Sequence, residues 1–297
     1  MICNLCPRKC NVDRSVRNGF CKVPEQLKIA RAALHFWEEP CISGEKGSGT
    51  IFFSGCSLGC IFCQNREIAL GESGIEISRL RLVEIMLELQ SQGANNINLV
   101  TPDHYAPIVR DCVIEAKENG LILPVLVNTG GYVSREVYEC LCPITDIWLT
   151  DFKYFSPDLA SRYAHAPDYP EVALNALKWM VQDIGRPIFE DGMMKRGVIV
   201  RILLLPDAYR DAKHILDLLH GSFGDDIIIS IMNQYVPPKG CEGVPKELLR
   251  KVTKKEYERL LDYALSIGIT EAYIQEGGAA KESFIPAFDY TGVLKKE

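Results

Sequence analysis

The sequence lacks the features of a membrane protein and of a secreted one. No stretch approaches the ~18 consecutive apolar residues of a membrane-spanning helix. The opening residues Met-Ile-Cys-Asn-Leu-Cys-Pro-Arg-Lys-Cys contain no apolar signal-peptide core and no cleavage site. Positive charge is not in excess either, since 33 Lys and Arg stand against 39 Asp and Glu. Proteins that bind nucleic acid or membrane surfaces need a positive field. We therefore expect a cytoplasmic protein that binds neither nucleic acid nor membrane.

Cysteine, by contrast, is abundant and unevenly placed. The chain has 12 cysteines in 297 residues. Most of them fall before residue 64: Cys3, Cys6, Cys10, Cys21, Cys41, Cys56, Cys60 and Cys63. A chain of this length buries a core large enough to need no disulfide staples. In a reducing cytoplasm, clustered cysteines bind metal ions or iron–sulfur clusters more often than they form disulfides.

From about residue 50 onward, short apolar runs alternate with segments of helical periodicity. The runs are rich in Ile, Val and Leu without alternation, which is typical of strands buried on both faces of a parallel sheet. The predicted strands are 49–54, 96–100, 122–127, 146–150, 198–205, 226–231 and 271–274. The predicted helices are 78–92, 107–119, 134–141, 171–183, 211–220 and 254–267.

This alternation predicts right-handed βαβ units and a mainly parallel sheet, either barrel-like or doubly wound. Polar and glycine-rich residues follow the strands, and the carboxyl ends of barrel strands are where function lies. Residues 1–45 do not follow the pattern and are predicted to be a cysteine-rich, metal-binding extension. Residues 46–297 then form the α/β domain.

The segment that follows the first predicted strand carries the strongest signal. Cys56, Cys60 and Cys63 have the spacing C-x3-C-x2-C, and Gly55 and Gly59 permit the turns that would bring three sulfurs together. A four-iron cluster normally takes four thiolates, so three leave one iron free. Two alternatives are a zinc site and an electron-transfer cluster that a remote cysteine, Cys112 or Cys241, completes.

The motif C-x3-C-x-aromatic-C, with Phe62 as the aromatic residue, resembles the signature of the radical S-adenosylmethionine (SAM) superfamily. The resemblance extends over residues 48–280 and is closest to the branch of the pyruvate formate-lyase-activating enzyme, including members with a cysteine-rich N-terminus. It implies a partial (β/α)6 barrel with a [4Fe-4S] cluster on Cys56, Cys60 and Cys63. It also implies reductive cleavage of SAM to a 5′-deoxyadenosyl radical that abstracts a substrate hydrogen, usually under anaerobic conditions.

The same resemblance implies residues that bind SAM. Asp151-Phe152-Lys153 matches the Asp-x-Lys that follows strand four in the family, with Lys153 beside the SAM carboxylate. Arg201 lies within an apolar strand and is expected to point towards that carboxylate. The alternative for Arg201 is a buried structural ion pair, and for Asp151 and Lys153 a surface ion pair.

Three further loops are implied to contact SAM. Asn128-Thr129 follows strand three, where some members bind a cation through an aspartate that this chain lacks. Asn233 or Gln234 would lie against the adenine. The chain departs from the family after strand two, where Thr101-Pro102-Asp103-His104 stands in place of a Gly-Gly-Glu motif. Asp103 or the backbone near Thr101 is the expected acceptor for the SAM amino group. His104 beside it is expected to face the substrate or to be structural.

The four N-terminal cysteines form a second group. Cys3, Cys6, Cys10 and Cys21 lie within 19 residues of one another. Four thiols at short spacing suit zinc or a single iron, and they also suit a second four-iron cluster. Cys41, Cys112, Cys140, Cys142 and Cys241 are interpreted as core or incidental thiols.

The resemblance favours an oxidoreductase that activates a glycyl radical enzyme by removing a glycine hydrogen. Its electron donor would be a flavodoxin or a ferredoxin. One alternative is a radical SAM enzyme that acts on a small molecule or peptide. The other is a non-catalytic iron–sulfur electron carrier or sensor. The absence of an insertion after Cys63 indicates that the chain lacks the additional clusters of some activases.

Overall fold

The computed structural model describes residues 2–238, 243–275 and 285–295. Cys241, one candidate for a remote cluster ligand, lies outside this part of the chain. None of the helices within these ranges has both the length and the apolar character needed to cross a membrane.

The strands form one large mixed sheet and one small hairpin. Their bounds are β1 Ile2–Cys3, β2 Val12–Asp13, β3 Lys28–His35, β4 Ser48–Phe53, β5 Ile75–Glu76, β6 Ile97–Val100, β7 Val125–Thr129, β8 Ile147–Asp151, β9 Ile188–Glu190, β10 Met193–Leu203, β11 Ile228–Met232 and β12 Ala272–Ile274. The large sheet has the order β12-β11-β10-β8-β7-β6-β4-β3-β5, with β9 paired to β10 alone. From β4 to β12 every neighbouring pair along this order is parallel.

The two ends of the described sheet, β5 and β12, do not pair with each other, so the barrel is open. The architecture is therefore α/β with a mostly parallel sheet curved into a partial barrel, as the sequence predicts. Five of the seven parallel strands begin and end within two residues of their predicted bounds, β7 begins three residues after its predicted start, and β10 begins five residues before its predicted start at Val198. The apolar runs form these strands because both faces are covered, and every residue of β4, β6 and β7 is buried.

Most of the helices pack against one face of the sheet, in the main core, whereas Cys41 and Ile42 of the first helix pack with Leu126 and Leu149 on the opposite face. The bounds of the helices are α1 Pro40–Ser43, α2 Arg66–Ala69, α3 Arg79–Ser91, α4 Ala106–Glu118, α5 Arg135–Leu141, α6 Pro157–Ala164, α7 Tyr169–Ile184, α8 Tyr209–Phe223 and α9 Lys254–Ser266. The capping box predicted from Thr253 and Glu256 is present at the start of α9. The Ser78 hydroxyl caps α3 by accepting from the Arg81 amide.

The N-terminal residues are attached to the sheet rather than separate from it. Strand β3 pairs antiparallel with β4, with Leu34 opposite Gly49, and β1 and β2 form a short antiparallel hairpin. The metal-binding role of residues 1–45 and the boundary at residue 45 stay predictions. Because β3 runs antiparallel to β4, with His35 opposite Ser48, the segment after β3 starts at the amino edge of the parallel strands, and from there Glu38 contacts Arg201 in β10.

Candidate active site

A cavity of about 230 Å³ opens at the carboxyl ends of the parallel strands. All three cysteines of the C-x3-C-x2-C motif line it. Most of the other predicted site residues line it as well: Phe62, Asn128, Thr129, Asp151, Lys153, Arg201 and Gln234. The loops of six strands thus meet at one face, as the parallel topology requires.

The loop that carries the cysteines curls tightly after β4. Gly55 and Gly59 have φ angles of +91° and +65°, which L side chains rarely adopt. A Cβ atom on Gly55 would lie 2.7 Å from the Cys21 carbonyl oxygen, so the N-terminal segment packs directly against this turn. The Cys63 amide donates to the Cys60 carbonyl at 3.1 Å. The predicted need for glycine at both turns is confirmed.

Arg8 clamps this loop from the N-terminal segment. Its guanidinium donates to the carbonyl oxygens of Ser57 at 2.8 Å, Leu58 at 2.9 Å and Ala164 at 2.7 Å. It also lies over the Phe20 ring, 3.8 Å from the centroid. Arg8 was not predicted as a functional residue, because the carbonyl groups to which it donates lie at least 49 residues away in sequence and no local pattern indicates them.

The three thiols are suited to a cationic cofactor. Burial raises the pKa of Cys56 to about 11 and that of Cys63 to about 12. Burial also raises the pKa of Cys60, which Lys153 opposes. Thiolates at this site therefore require bound iron or another cation. Among the described residues, no fourth cysteine lines the cavity, so the donor set fits a [4Fe-4S] cluster with one iron available to a non-protein ligand.

Asp151, Lys153 and Arg201 form a buried ion-pair network beside the thiols. Arg201 Nε donates to Asp151 Oδ1 at 2.9 Å, and Lys153 Nζ donates to Asp151 Oδ2 at 2.5 Å. Arg201 also pairs with Glu38 at 3.1 Å and donates to Asn128 Oδ1 at 2.6 Å. Each nitrogen of the Arg201 guanidinium thus has a protein partner. This is the buried ion pair that stood as the alternative to SAM binding, and the SAM contact of Arg201 stays a prediction.

The network keeps its members charged. Burial alone would raise the pKa of Asp151, but Arg201 and Lys153 hold it below its ordinary value. Burial would likewise lower the pKa of Lys153, and the neighbouring Asp151 and Cys60 raise it instead. Glu39 differs, since burial raises the pKa of its carboxyl group against the opposing charge of Arg201. The cavity therefore presents a charged lysine beside three sulfurs.

The loop after β6 is placed differently from its expected role. Asp103 and His104 are both buried but do not line the cavity of Cys56, Cys60 and Cys63. Asp103 accepts from the Thr129 hydroxyl at 2.7 Å, and burial raises its pKa to about 6. Thr101 lines the cavity in their place, with a φ of +57° that is unusual for a β-branched residue. The contact of Asp103 with SAM stays a prediction.

The remaining predicted residues divide in the same way. Gln234 lines the cavity and Asn233 does not. The Asn233 backbone amide donates to Gln275 Oε1 at 2.7 Å. Contact of Asn233 or Gln234 with the adenine stays a prediction. Phe62 packs edge-on against three buried tyrosines: Tyr154, Tyr163 and Tyr235. The Tyr154 hydroxyl in turn donates to Cys60 Sγ at 3.4 Å.

A second cavity of about 490 Å³ adjoins the first one. The two share Trp37, Glu38, Arg201, Met232 and Gln234, and Glu39 lines only the second. The contribution of Glu38 was missed because its position after β3 becomes apparent only when β3 is known to join the sheet. Buried carboxylates so close to Arg201 give this wall a mixed charge.

The four N-terminal cysteines are close to one another, around a separate cavity of about 10 Å³. The structure leaves all four as free thiols. Burial raises the pKa of Cys6 to about 12 and raises that of Cys21 as well. Cys112 is buried in the core and does not line either large cavity. It is therefore not placed to complete the cluster.

Comparison with known proteins agrees with this geometry. The family model described as the radical SAM superfamily matches residues 50–219. An uncharacterized protein of Methanocaldococcus jannaschii, MJ0674, is 26% identical over 274 residues, covering 88% of this chain and 74% of that protein. Among solved structures, SuiB of Streptococcus suis bound to SAM has a TM-score of 0.53 at 14% identity, covering 75% of this chain. This chain spans about half of SuiB, 49% of its length.

A radical SAM methyltransferase from Sphaerobacter thermophilus has a TM-score of 0.52 at 18% identity, covering 77% of this chain and 66% of that one. At such low identity these structures support the fold. The family model covers more than half of the chain and includes the cysteine loop, the Asp151–Lys153 turn and Arg201. The chain therefore belongs to the radical SAM superfamily, whose members cleave SAM at an iron–sulfur cluster.

Proposed function

We propose that this protein is an activase-type radical SAM oxidoreductase that removes a hydrogen atom from a glycine of a glycyl radical enzyme. One observation carries the proposal. Cys56, Cys60, Cys63 and Lys153 line the same cavity, and within the described residues no fourth cysteine lines it. When bound, the cluster would supply the electron that cleaves SAM and so generates the 5′-deoxyadenosyl radical.

The chain's own residues would hold and orient SAM. Lys153 lies close enough to Cys60 and Cys63 to lower the pKa of both thiols against the larger effect of burial, and it would pair with the SAM carboxylate as a point charge. Asp151 keeps Lys153 in place, because their side chains are joined by an ion pair of 2.5 Å. Gln234 would lie against the adenine from the end of β11. The ring of buried aromatic side chains around Phe62 would keep water from the reacting atoms.

An electron donor and a protein substrate complete the proposal. The donor would be a flavodoxin or a ferredoxin, since cluster reduction needs a low-potential carrier. The glycine target is supported by the sequence resemblance to the pyruvate formate-lyase-activating enzyme. Electron paramagnetic resonance after anaerobic incubation with a candidate glycyl radical enzyme, SAM and reductant tests it. A doublet signal from a glycine-centred radical is expected. Its absence with every candidate enzyme whose glycine loop is intact would contradict the activase role.

A small substrate is the second candidate, and the adjoining cavity of about 490 Å³ favours it. This volume lies within the range of small-molecule pockets. Its wall carries Glu38 and Glu39 beside Arg201, so a substrate with a group that donates hydrogen bonds to carboxyl oxygens would match it. To test this function, the protein is incubated with SAM, reductant and a deuterated candidate substrate. Deuterium in the 5′-deoxyadenosine would show that the radical had taken its hydrogen from that substrate.

A non-catalytic electron carrier is separated from both by one assay. Reconstituted protein is incubated anaerobically with dithionite and SAM, and 5′-deoxyadenosine is measured by chromatography. We expect its formation by the wild-type protein and by Cys140→Ala, a cysteine outside the described cavities. A protein whose cluster is reduced but forms no 5′-deoxyadenosine would favour the carrier.

A further inference from the structure

The N-terminal cavity is lined by five side chains that can bind a metal ion. Cys3, Cys6, Cys10 and Cys21 all line it, and His104 of the loop after β6 lines it too. The His104 Nε2 donates to the Ser54 carbonyl at 2.8 Å. Because a carbonyl can only accept, the proton lies on Nε2 and Nδ1 carries a free lone pair. That Nδ1 is buried and has no hydrogen-bond partner.

A backbone amide already points at one of the four sulfurs. The Phe20 amide donates to Cys10 Sγ at 3.3 Å. The cluster loop shows the same arrangement, since the Leu58 amide donates to Cys56 Sγ at 3.4 Å. Hydrogen bonds of this kind favour the anionic form of sulfur, which is the form that ligates metal.

The charges around the cavity suit an anionic centre. A divalent ion with four thiolates carries a net charge of −2, and Lys9 and Arg14 are the two cationic residues that line the cavity. Arg14 is buried, and its guanidinium donates to the carbonyl oxygens of His104, Val23 and Pro24. Carbonyl partners satisfy its protons but leave its charge available to a neighbouring anion.

The size of the cavity limits what can be bound. A volume of about 10 Å³ is room for about one water-sized sphere, which accommodates a single ion and is too small for a cube of iron and sulfide. As the side chains stand, no three His, Cys, Asp or Glu groups in the described ranges converge on one point. Closure around an ion therefore requires rotation of cysteine side chains between rotamers.

We propose that this cavity binds one divalent metal ion that prefers thiolate ligands, zinc or ferrous iron. Four of the five donors hold it, and at least three of them are thiolates. The ion would fasten the N-terminal segment to the cluster loop, because Cys21 packs on Gly55 and His104 is bonded to Ser54. Its role is distinct from SAM cleavage, and the inference does not depend on the glycine target.

Metal and acid-labile sulfide are counted in the anaerobically reconstituted wild-type protein, and X-ray absorption is recorded at the zinc edge. We expect one ion beyond those of a single four-iron cluster, with no extra sulfide. If it is zinc, at least three sulfur neighbours at about 2.3 Å should surround it. If it is iron, one additional iron without zinc is found.

A double variant and a control assign the ion to this cavity. Cys6→Ser/Cys21→Ser leaves only two of the four thiolates and should lose the ion while retaining the cluster iron, and Cys140→Ser, outside the cavity, should retain both. A second full complement of iron and sulfide would overturn the proposal in favour of a second cluster. Wild-type protein with only the cluster's iron would overturn it as well. The counts on the wild-type protein decide the question even if a variant fails to fold.

Discussion

Replacement of Arg201 by methionine should lower the free energy of unfolding by about 3 kcal/mol. The Arg201 side chain is 14% exposed and lies between Asp151, at 13%, and Glu38, at 10%. Removal of one member of a buried ion pair costs about 3–5 kcal/mol, because it leaves the partner charge uncompensated. Methionine keeps the length and apolar volume of the side chain, so packing contributes little to the loss.

The lower end of that range follows from the partners that remain. Asp151 keeps its ion pair with Lys153, so Glu38 is the carboxylate that loses its cation. Two amide contacts to Glu38 persist, from Asn98 at 3.1 Å and Asn128 at 3.3 Å. Glu38→Gln in the methionine background should therefore recover about 1–2 kcal/mol, since it removes the orphaned charge.

Anaerobic urea unfolding monitored by circular dichroism measures these differences. Arg186→Met is the matched control, because the Arg186–Asp226 pair is exposed, at 78% and 45%. Its replacement should cost less than about 1 kcal/mol. An Arg201→Met protein within about 1 kcal/mol of the wild type would refute the ion-pair reasoning. If its SAM affinity had fallen at the same time, Arg201 would be a ligand for SAM rather than a support of the fold.

Three further results are expected. Gly131→Ala should lower the free energy of unfolding by about 2–3 kcal/mol, because φ is +80° and the new Cβ would meet the Asp151 carbonyl oxygen. Gly120→Ala, at φ +98° with open space around it, should cost only about 1 kcal/mol in the same unfolding assay. Lys153→Met should weaken SAM binding by about one to two decades in equilibrium dialysis, with exposed Lys178→Met unchanged; equal affinities would remove Lys153 from the SAM site. The Arg250 guanidinium lowers the pKa of Glu256 from 4.5 to about 2, so the charged carboxylate stabilises the fold above pH 4.5 and this contribution disappears as the pH falls towards 2. In pH-dependent unfolding the wild-type protein should lose about 1 kcal/mol in this way, and Glu256→Gln should not.

The parallel sheet was predictable because its signal is local. Apolar runs such as Val-Leu-Val at 125–127 have no polar alternation and can only be buried on both faces, and all of the strand that contains this run is buried. Strand β3 gives no such signal. Its sequence Lys-Ile-Ala-Arg-Ala-Ala-Leu-His mixes charged and small residues, and it is a strand because β4 and β5 supply its antiparallel partners.

The site was predictable where one loop contains the whole pattern. The spacing of Cys56, Cys60 and Cys63, with glycines between them, can be recognised without a fold. The partners of Arg201 could not be predicted in this way, because Glu38 is 163 residues away in sequence. A buried arginine requires an anion, but the sequence alone could not distinguish the SAM carboxylate from a carboxylate of the protein.

The measurement that tests the central claim most directly is 5′-deoxyadenosine formation by protein reconstituted with iron and sulfide, under dithionite and SAM. The wild-type protein should show the brown absorbance of a cluster and form 5′-deoxyadenosine. The protein with Cys56, Cys60 and Cys63 all replaced by alanine should show neither, while Cys140→Ala behaves as the wild type. A triple variant that still cleaves SAM would contradict the assignment of the cluster to these three cysteines.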